Sequence, residues 1–274
     1  MNNTIPSKRL ISIAQGEIFV EQWQPEQTEG NSTDIPLILL HDSLGSVAQW
    51  KSFPKLLANT LQRRVIAYDR LGFGQSSSLT ELPSMNFIEE EATDIFPKIK
   101  RALNINKFSV LGHSVGGGMA AYIAANDNDC QHLVTIAAQA YVENQTISGI
   151  LAAKKYFEDT KQLARLAKWH GDKTAWVLSA WVDTWTASEF ADFSLCSILP
   201  KITCPTLVIH GENDEYGSID FPNTIAKLVS GITDKVILAN CAHVPHKEQS
   251  ETVIELINSF IVKNEASTHH IMES

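Results

Sequence analysis

Charge is scarce in this chain, and what there is leans negative. Charged residues make up 19% of the 274, the formal net charge is −9, and the 22 lysines and arginines are scattered. A nucleic-acid or anionic-membrane surface needs a clustered basic footprint, so neither partner is expected. Long apolar runs are missing too. No stretch approaches membrane-spanning length, and the start, MNNTIPSKRLISI, lacks the apolar core of a secretory signal. The expected location is the cytoplasm. Cysteine is sparse: Cys130, Cys196, Cys204 and Cys241 show no CxxC or zinc-ribbon spacing, which favours free thiols over a disulfide framework. No repeat or low-complexity stretch occurs. No metal and no cofactor is expected; His269 and His270, in the polar tail NEASTHHIMES, read as part of a solvated terminus.

What remains is ample for a core. Hydrophobic residues reach 44%, which suits one large α/β domain or a domain with one sizeable insertion. Leu10 to Ile13 and Glu17 to Trp23 flank Gln15-Gly16 and predict a β-hairpin. Six short, nearly continuous apolar runs follow: Leu37 to Leu40, Val65 to Tyr68, Phe108 to Leu111, Leu133 to Ile136, Thr206 to Ile209 and Lys235 to Leu238. Such runs predict strands of a parallel sheet buried on both faces. Helical patterns lie between them over Val47 to Leu61, Phe87 to Leu103, Gly117 to Ala125 and Pro222 to Val229, with Glu251 to Val262 after the last.

The alternation predicts a doubly wound, mostly parallel α/β sheet with its site at the carboxyl ends of the strands. It breaks once, where residues 139–200 read as helical throughout and carry Trp169, Trp176, Trp181 and Trp185. The expected organisation is a core of residues 1–138 and 201–263, a helical cap of 139–200 inserted into it, and a flexible tail of 264–274.

The chemistry centres on Gly112-His113-Ser114-Val115-Gly116, which ends the third of those six runs and opens a helix through Gly117 and Gly118. A strand–turn–helix with small residues on both sides of a serine holds that serine strained and exposed, a nucleophile elbow. The helix start offers free N–H groups where an oxyanion forms. A glycine-rich βα turn would use the same residues, so the partners must decide. A serine hydroxyl needs a base, and the base needs an acid that fixes its tautomer. Asp214, in His210-Gly211-Glu212-Asn213-Asp214, and His243, in Cys241-Ala242-His243-Val244-Pro245-His246, each follow a strand. Glu212, Glu215 and His246 are rivals by proximity. The order Ser, Asp, His at three strand ends selects Ser114, Asp214 and His243. The loop Leu40-His41-Asp42-Ser43-Leu44-Gly45-Ser46 supplies the other oxyanion donor, so the nominees are the amides of Ser43 and Val115.

With these motifs and Asp69-Arg70-Leu71-Gly72-Phe73-Gly74-Gln75-Ser76, the chain resembles the α/β-hydrolase superfamily over its whole length apart from the tail. The resemblance implies the same triad and the same oxyanion donors. One departure stands out. Relatives usually carry Gly where this chain has Asp42, and a carboxylate there opposes an oxyanion unless it turns away or is neutralised by Arg70 or a loop amide. Several relatives have Ser at the Ser43 position, including carbon–carbon hydrolases of aromatic ring-cleavage products. Asp42, His113, Trp181 and Trp185 are the expected substrate-pocket residues, and Asp69 and Arg70 are expected to fix their loop by pairing.

The leading function is cleavage of a small carboxylic ester or thioester through an acyl-enzyme, with an ester-like small molecule as partner. Alternatives are carbon–carbon hydrolysis with the same triad, a slow-turnover small-molecule receptor, and cofactor-free oxygenase or perhydrolase chemistry. Epoxide hydrolases and haloalkane dehalogenases are disfavoured because they place Asp where this chain has Ser114. Monomer and homodimer are equally compatible with the sequence.

Overall fold

Eight strands form one sheet in the order β1-β2-β4-β3-β5-β6-β7-β8. They are β1 Ser7–Ile13, β2 Gly16–Trp23, β3 Leu37–Leu40, β4 Val65–Tyr68, β5 Phe108–His113, β6 Cys130–Ile136, β7 Thr206–Gly211 and β8 Thr233–Leu238. The computed structural model describes residues 6–26 and 35–272, with side chains to residue 266. The first hairpin joins antiparallel to β4, and every other pairing is parallel. The chain therefore has the α/β architecture expected of it. Strands β3 to β6 are buried over almost their whole length, as their unbroken apolar runs require. The edge strand β8 departs from that expectation: Lys235 and Ile237 are exposed because no strand lies beyond it.

The helices are α1 Phe53–Leu61, α2 Phe87–Glu90, α3 Phe96–Ala102, α4 Val115–Asn126, α5 Asn144–Tyr156, α6 Thr160–His170, α7 Thr174–Trp185, α8 Asp220–Leu228, α9 Pro245–Glu248 and α10 Ser250–Met272. Three boundaries differ from the sequence reading. Val47–Trp50 is a separate 3-10 turn, broken from α1 where Lys51 takes φ 53° and Pro54 starts a new helix. Glu91–Ile95 is a π-turn between α2 and α3, placed where Pro97 cannot donate a helical N–H. The last helix runs past Val262 to Met272. The stretch from 264 is helical because Asn264 is buried and Glu265 pairs with Arg63 at 3.0 Å. The side chains of His269 and His270 lie outside the described residues.

Helix α4 is buried on nearly every side and lies against the sheet at β5 and β6. Its close approach depends on two glycines: a Cβ at Gly112 would meet the Gly116 carbonyl, and one at Gly116 would meet the Leu40 carbonyl. Between β6 and β7 the chain leaves the sheet for α5, α6 and α7, with a lone Tyr141–Ser194 bridge near its ends. Two seams hold this excursion down. On one side the α5 end binds the β7 loop: Gln145 Nε2 donates to the Asp214 carbonyl at 2.7 Å, and Thr146 Oγ1 to the Tyr216 carbonyl at 2.7 Å. On the other, buried His170 at the end of α6 accepts from the Gly74 amide at 3.0 Å and reaches the Leu44 carbonyl at 2.9 Å. Since Nδ1 accepts, Nε2 carries the proton.

Candidate active site

Ser114 joins β5 to α4 with φ 56° and ψ −125°, a region a non-glycine residue enters only under constraint. Strain of about 1–3 kcal/mol is typical of such a conformation, and the surrounding ladder holds it: the Ser114 amide donates to the Ile136 carbonyl at 2.9 Å. The side chain is thereby lifted off the strand end into a cavity of about 190 Å³.

Three strand ends converge there. Ser114 Oγ lies 3.0 Å from His243 Nε2, and His243 Nδ1 lies 2.9 and 2.8 Å from the two carboxylate oxygens of Asp214. The Tyr216 amide donates to Asp214 at 2.8 Å, which fixes the acid in its turn. Burial opposes charge on His243, but the hydrogen bond and charge of Asp214 outweigh it and hold the imidazole above its ordinary value. Burial likewise opposes the Asp214 carboxylate, and the bond to His243 overrides it, keeping this acid below the usual range. The arrangement can take a proton from the serine hydroxyl and stabilise the imidazolium that results.

The rival groups are spent elsewhere. Glu212 accepts from the Asn240 amide at 3.3 Å and Glu215 from the His243 amide at 3.3 Å. His246 packs between Trp50 and Phe53 with ring centroids 4.7 and 5.4 Å away. Cys241 is fully buried, and burial pushes its thiol up to about 12. Among the described residues no cluster of His, Cys, Asp or Glu is arranged to hold a metal ion.

Asp42 turns to its own loop and to His113. One carboxylate oxygen accepts from the Leu44 amide at 2.9 Å, and the other lies 3.2 Å from His113 Nδ1. Of the two partners expected for it, a loop amide is the one found; the Arg70 guanidinium donates to the backbone carbonyl of Asp42 at 2.8 Å and stacks over Phe73. Nor do Asp69 and Arg70 pair with each other. Asp69 accepts the amides of Val47 and Gln75 at 2.6 and 2.7 Å, so the acid ties two loops by backbone bonds. The second ring nitrogen of His113 reaches the His243 carbonyl at 2.8 Å. Asp42 and the His243 carbonyl thus engage the ring at both nitrogens and fix its orientation. Burial works against charge on Asp42, but the bond and charge of His113 hold its carboxyl well below the usual range.

Ser43 and Val115 both border the narrow space beside Ser114. Of the four tryptophans in the α5–α7 segment, Trp181 and Trp185 line the Ser114 cavity. Trp176 packs on Phe73 instead, and Trp169 stands 36% exposed. Several residues were missed by sequence reasoning. Tyr216 lays its ring 4.8 Å from that of His243, Gln139 comes within 3.4 Å of Ser114 Oγ, and His210 Nε2 sits 3.5 Å from Asp214. Gln139 follows β6 directly, so its place at a carboxyl strand end was the available signal; Tyr216 carried none.

The chain has relatives among known proteins. Residues 35–175 match the model of the alpha/beta hydrolase fold family. The human protein "Serine hydrolase BPHL" is 30% identical over 211 residues, covering 74% of this chain and 71% of that one. A proline iminopeptidase of Heyndrickxia coagulans is 26% identical across 86% of this chain and 93% of its own. The crystal structure of proline iminopeptidase from Mycobacterium smegmatis shares the fold, with a TM-score of 0.71 at 22% identity, covering 96% of this chain and 100% of that one.

Proposed function

The chain belongs to the alpha/beta hydrolase fold family, and on that premise we propose that it is a serine hydrolase cleaving a small carboxylic ester or thioester through an acyl-enzyme. Ser114 attacks the carbonyl carbon as His243 takes its proton, and Asp214 orients the imidazole and stabilises its cation. The amides of Ser43 and Val115 receive the oxyanion. His243 then returns the proton to the leaving group, and water releases the acyl group by the same route. Residues 139–200 serve as a cap over the core of 1–138 and 201–263, contributing Trp181 and Trp185 to an apolar pocket wall.

The observation that carries this reading is the continuous chain from Ser114 Oγ to His243 at 3.0 Å and on to Asp214 at 2.8 Å. The Asp42 carboxylate does not oppose it, because it is engaged by the Leu44 amide and by His113. Labelling by a fluorophosphonate, abolished in Ser114→Ala, is the expected result. A panel of nitrophenyl esters then tests the bond class. Absence of labelling overturns the reading, and turnover of ring-cleavage diketones without turnover of esters replaces it with carbon–carbon hydrolysis.

A further inference from the structure

One cavity holds Ser114, a second lies nearby, and a narrow space shares walls with both. The first is the 190 Å³ space holding Ser114 and His243. The second, about 260 Å³, lies beneath the loop after β4 and is walled mainly by Leu71, Leu79, Phe87, Ile95, Met119 and Trp176. Between them is a neck of about 10 Å³ bordered by Ser43 and Val115, the two oxyanion nominees. Ser43, Trp181 and Trp185 belong to both the neck and the first cavity, while Arg70, Phe73, Pro83 and Phe87 belong to both the neck and the second. The neck therefore adjoins both cavities.

Strand order says which part of a substrate each cavity receives. Asp214 and His243 follow β7 and β8, on one side of β5 in the sheet; the second cavity lies under the loop that follows β4, on the other. His243 must deliver its proton to the leaving group, so the leaving group sits on the β7–β8 side. The acyl substituent on the same carbon is left facing the neck. We infer that the second cavity is an acyl-chain chamber, and that the protein takes esters of linear, medium-length acyl groups whose tail passes between Trp181 and Phe87. The inference rests on the acyl-enzyme reading above.

The chamber's wall is apolar where the tail would end. Its carboxylates Glu90 and Asp94 are exposed, bound to Ser84 at 2.7 Å and to Lys98 at 2.6 Å. Glu91 is buried and holds the Tyr68 hydroxyl at 2.7 Å. With Asp94 paired to Lys98 and the Arg70 cation acting on Glu91, these two charges around the space are matched.

The test is the ratio of kcat/KM for nitrophenyl octanoate to that for nitrophenyl acetate, in which any loss of folded protein cancels. Each methylene moved from water to an apolar wall is worth about a fourfold gain, so the parent is expected to favour octanoate strongly. Leu79→Trp, which fills the chamber, is expected to lower the ratio at least about tenfold, and Phe87→Ala, which widens the neck, to raise it. A parent that prefers acetate, or a ratio unmoved by both variants, overturns the chamber. Calorimetric binding of octanoate to Ser114→Ala provides a second arm, with Leu79→Trp expected to weaken it about tenfold or more. If fluorophosphonate fails to label Ser114 while octanoate binding still depends on Leu79, the hydrolase reading falls and the chamber stands. Labelling combined with indifference to chain length sinks the chamber alone.

Discussion

Replacing Asp42 with glycine, the residue usual in relatives, is expected to destabilise this protein. The carboxylate accepts the half-buried Leu44 amide at 2.9 Å and faces buried His113 at 3.2 Å. A hydrogen bond to a charged group contributes about 1.5–3 kcal/mol, and an orphaned buried donor costs about 1–3 kcal/mol. Glycine adds about 0.5–1 kcal/mol through the freedom it gains when unfolded. Taken together with partial relaxation, the loss is about 3 kcal/mol. In a domain of this size each kcal/mol moves Tm by about 2–4 °C, so Asp42→Gly should melt about 6–12 °C below the parent. Asp42→Asn is the informative control. Its amide oxygen can accept from Leu44 and its NH₂ can donate to His113 Nδ1, while Nε2–H donates to the His243 carbonyl. That variant should melt within about 4 °C of the parent. Scanning calorimetry reads both. A glycine variant as stable as the parent, or an asparagine variant as damaged as the glycine one, would refute the assignment of Asp42 to His113 and Leu44. Ester turnover raised more than about tenfold in Asp42→Gly would show instead that the carboxylate opposes the oxyanion.

Three further outcomes follow from the same geometry. Asp214→Asn keeps the shape but favours the wrong His243 tautomer, so kcat for a nitrophenyl ester should fall by about 10³–10⁴, and a loss below tenfold would exclude Asp214 as the orienting acid. The acidic limb of kcat/KM should lie above pH 6.5, since the base must be neutral and Asp214 raises its value; finding it below 6.5 would contradict that coupling. Stability should fall as pH drops from 6.5 to 4. His41, His170, His210 and His246 are held below their ordinary value, chiefly by burial, and His132 at about 4. A lowered histidine contributes fully above its unfolded value and loses that contribution as pH falls toward its folded one, which for His132 alone amounts to about 3 kcal/mol by pH 4. His243, raised, acts in the opposite sense, and a Tm unchanged over this range would refute the sum.

The strands and the convergence of Ser114, Asp214 and His243 at three strand ends were legible because each depends on local pattern. A strand buried on both faces, such as Leu37–Leu40, must be apolar throughout, and a serine forced into positive φ needs small neighbours such as Gly112 and Gly116. Asp42 was legible as an anomaly but not in its pairing, because His113 and Arg70 are both basic and both near, and only the fold decides which reaches the carboxylate. Gln139 offered only its place after β6, and Tyr216 offered nothing, since an uncharged side chain facing a cavity has no periodicity to betray it. The end of α10 was misplaced because its stop was read from polarity, and an exposed helix is polar by necessity.

His170 deserves a different description from that of a packed histidine. One imidazole draws on a backbone amide of the Gly74 loop and on the carbonyl of Leu44, the neighbour of Ser43, while standing on the last turn of α6. Peeling α6 from the core would leave both groups unpaired and free the very loop that must hold its amide still. A displacement of α6 would therefore disturb two loops at the strand ends at once, so the helical segment and the Ser43 loop are coupled through one side chain.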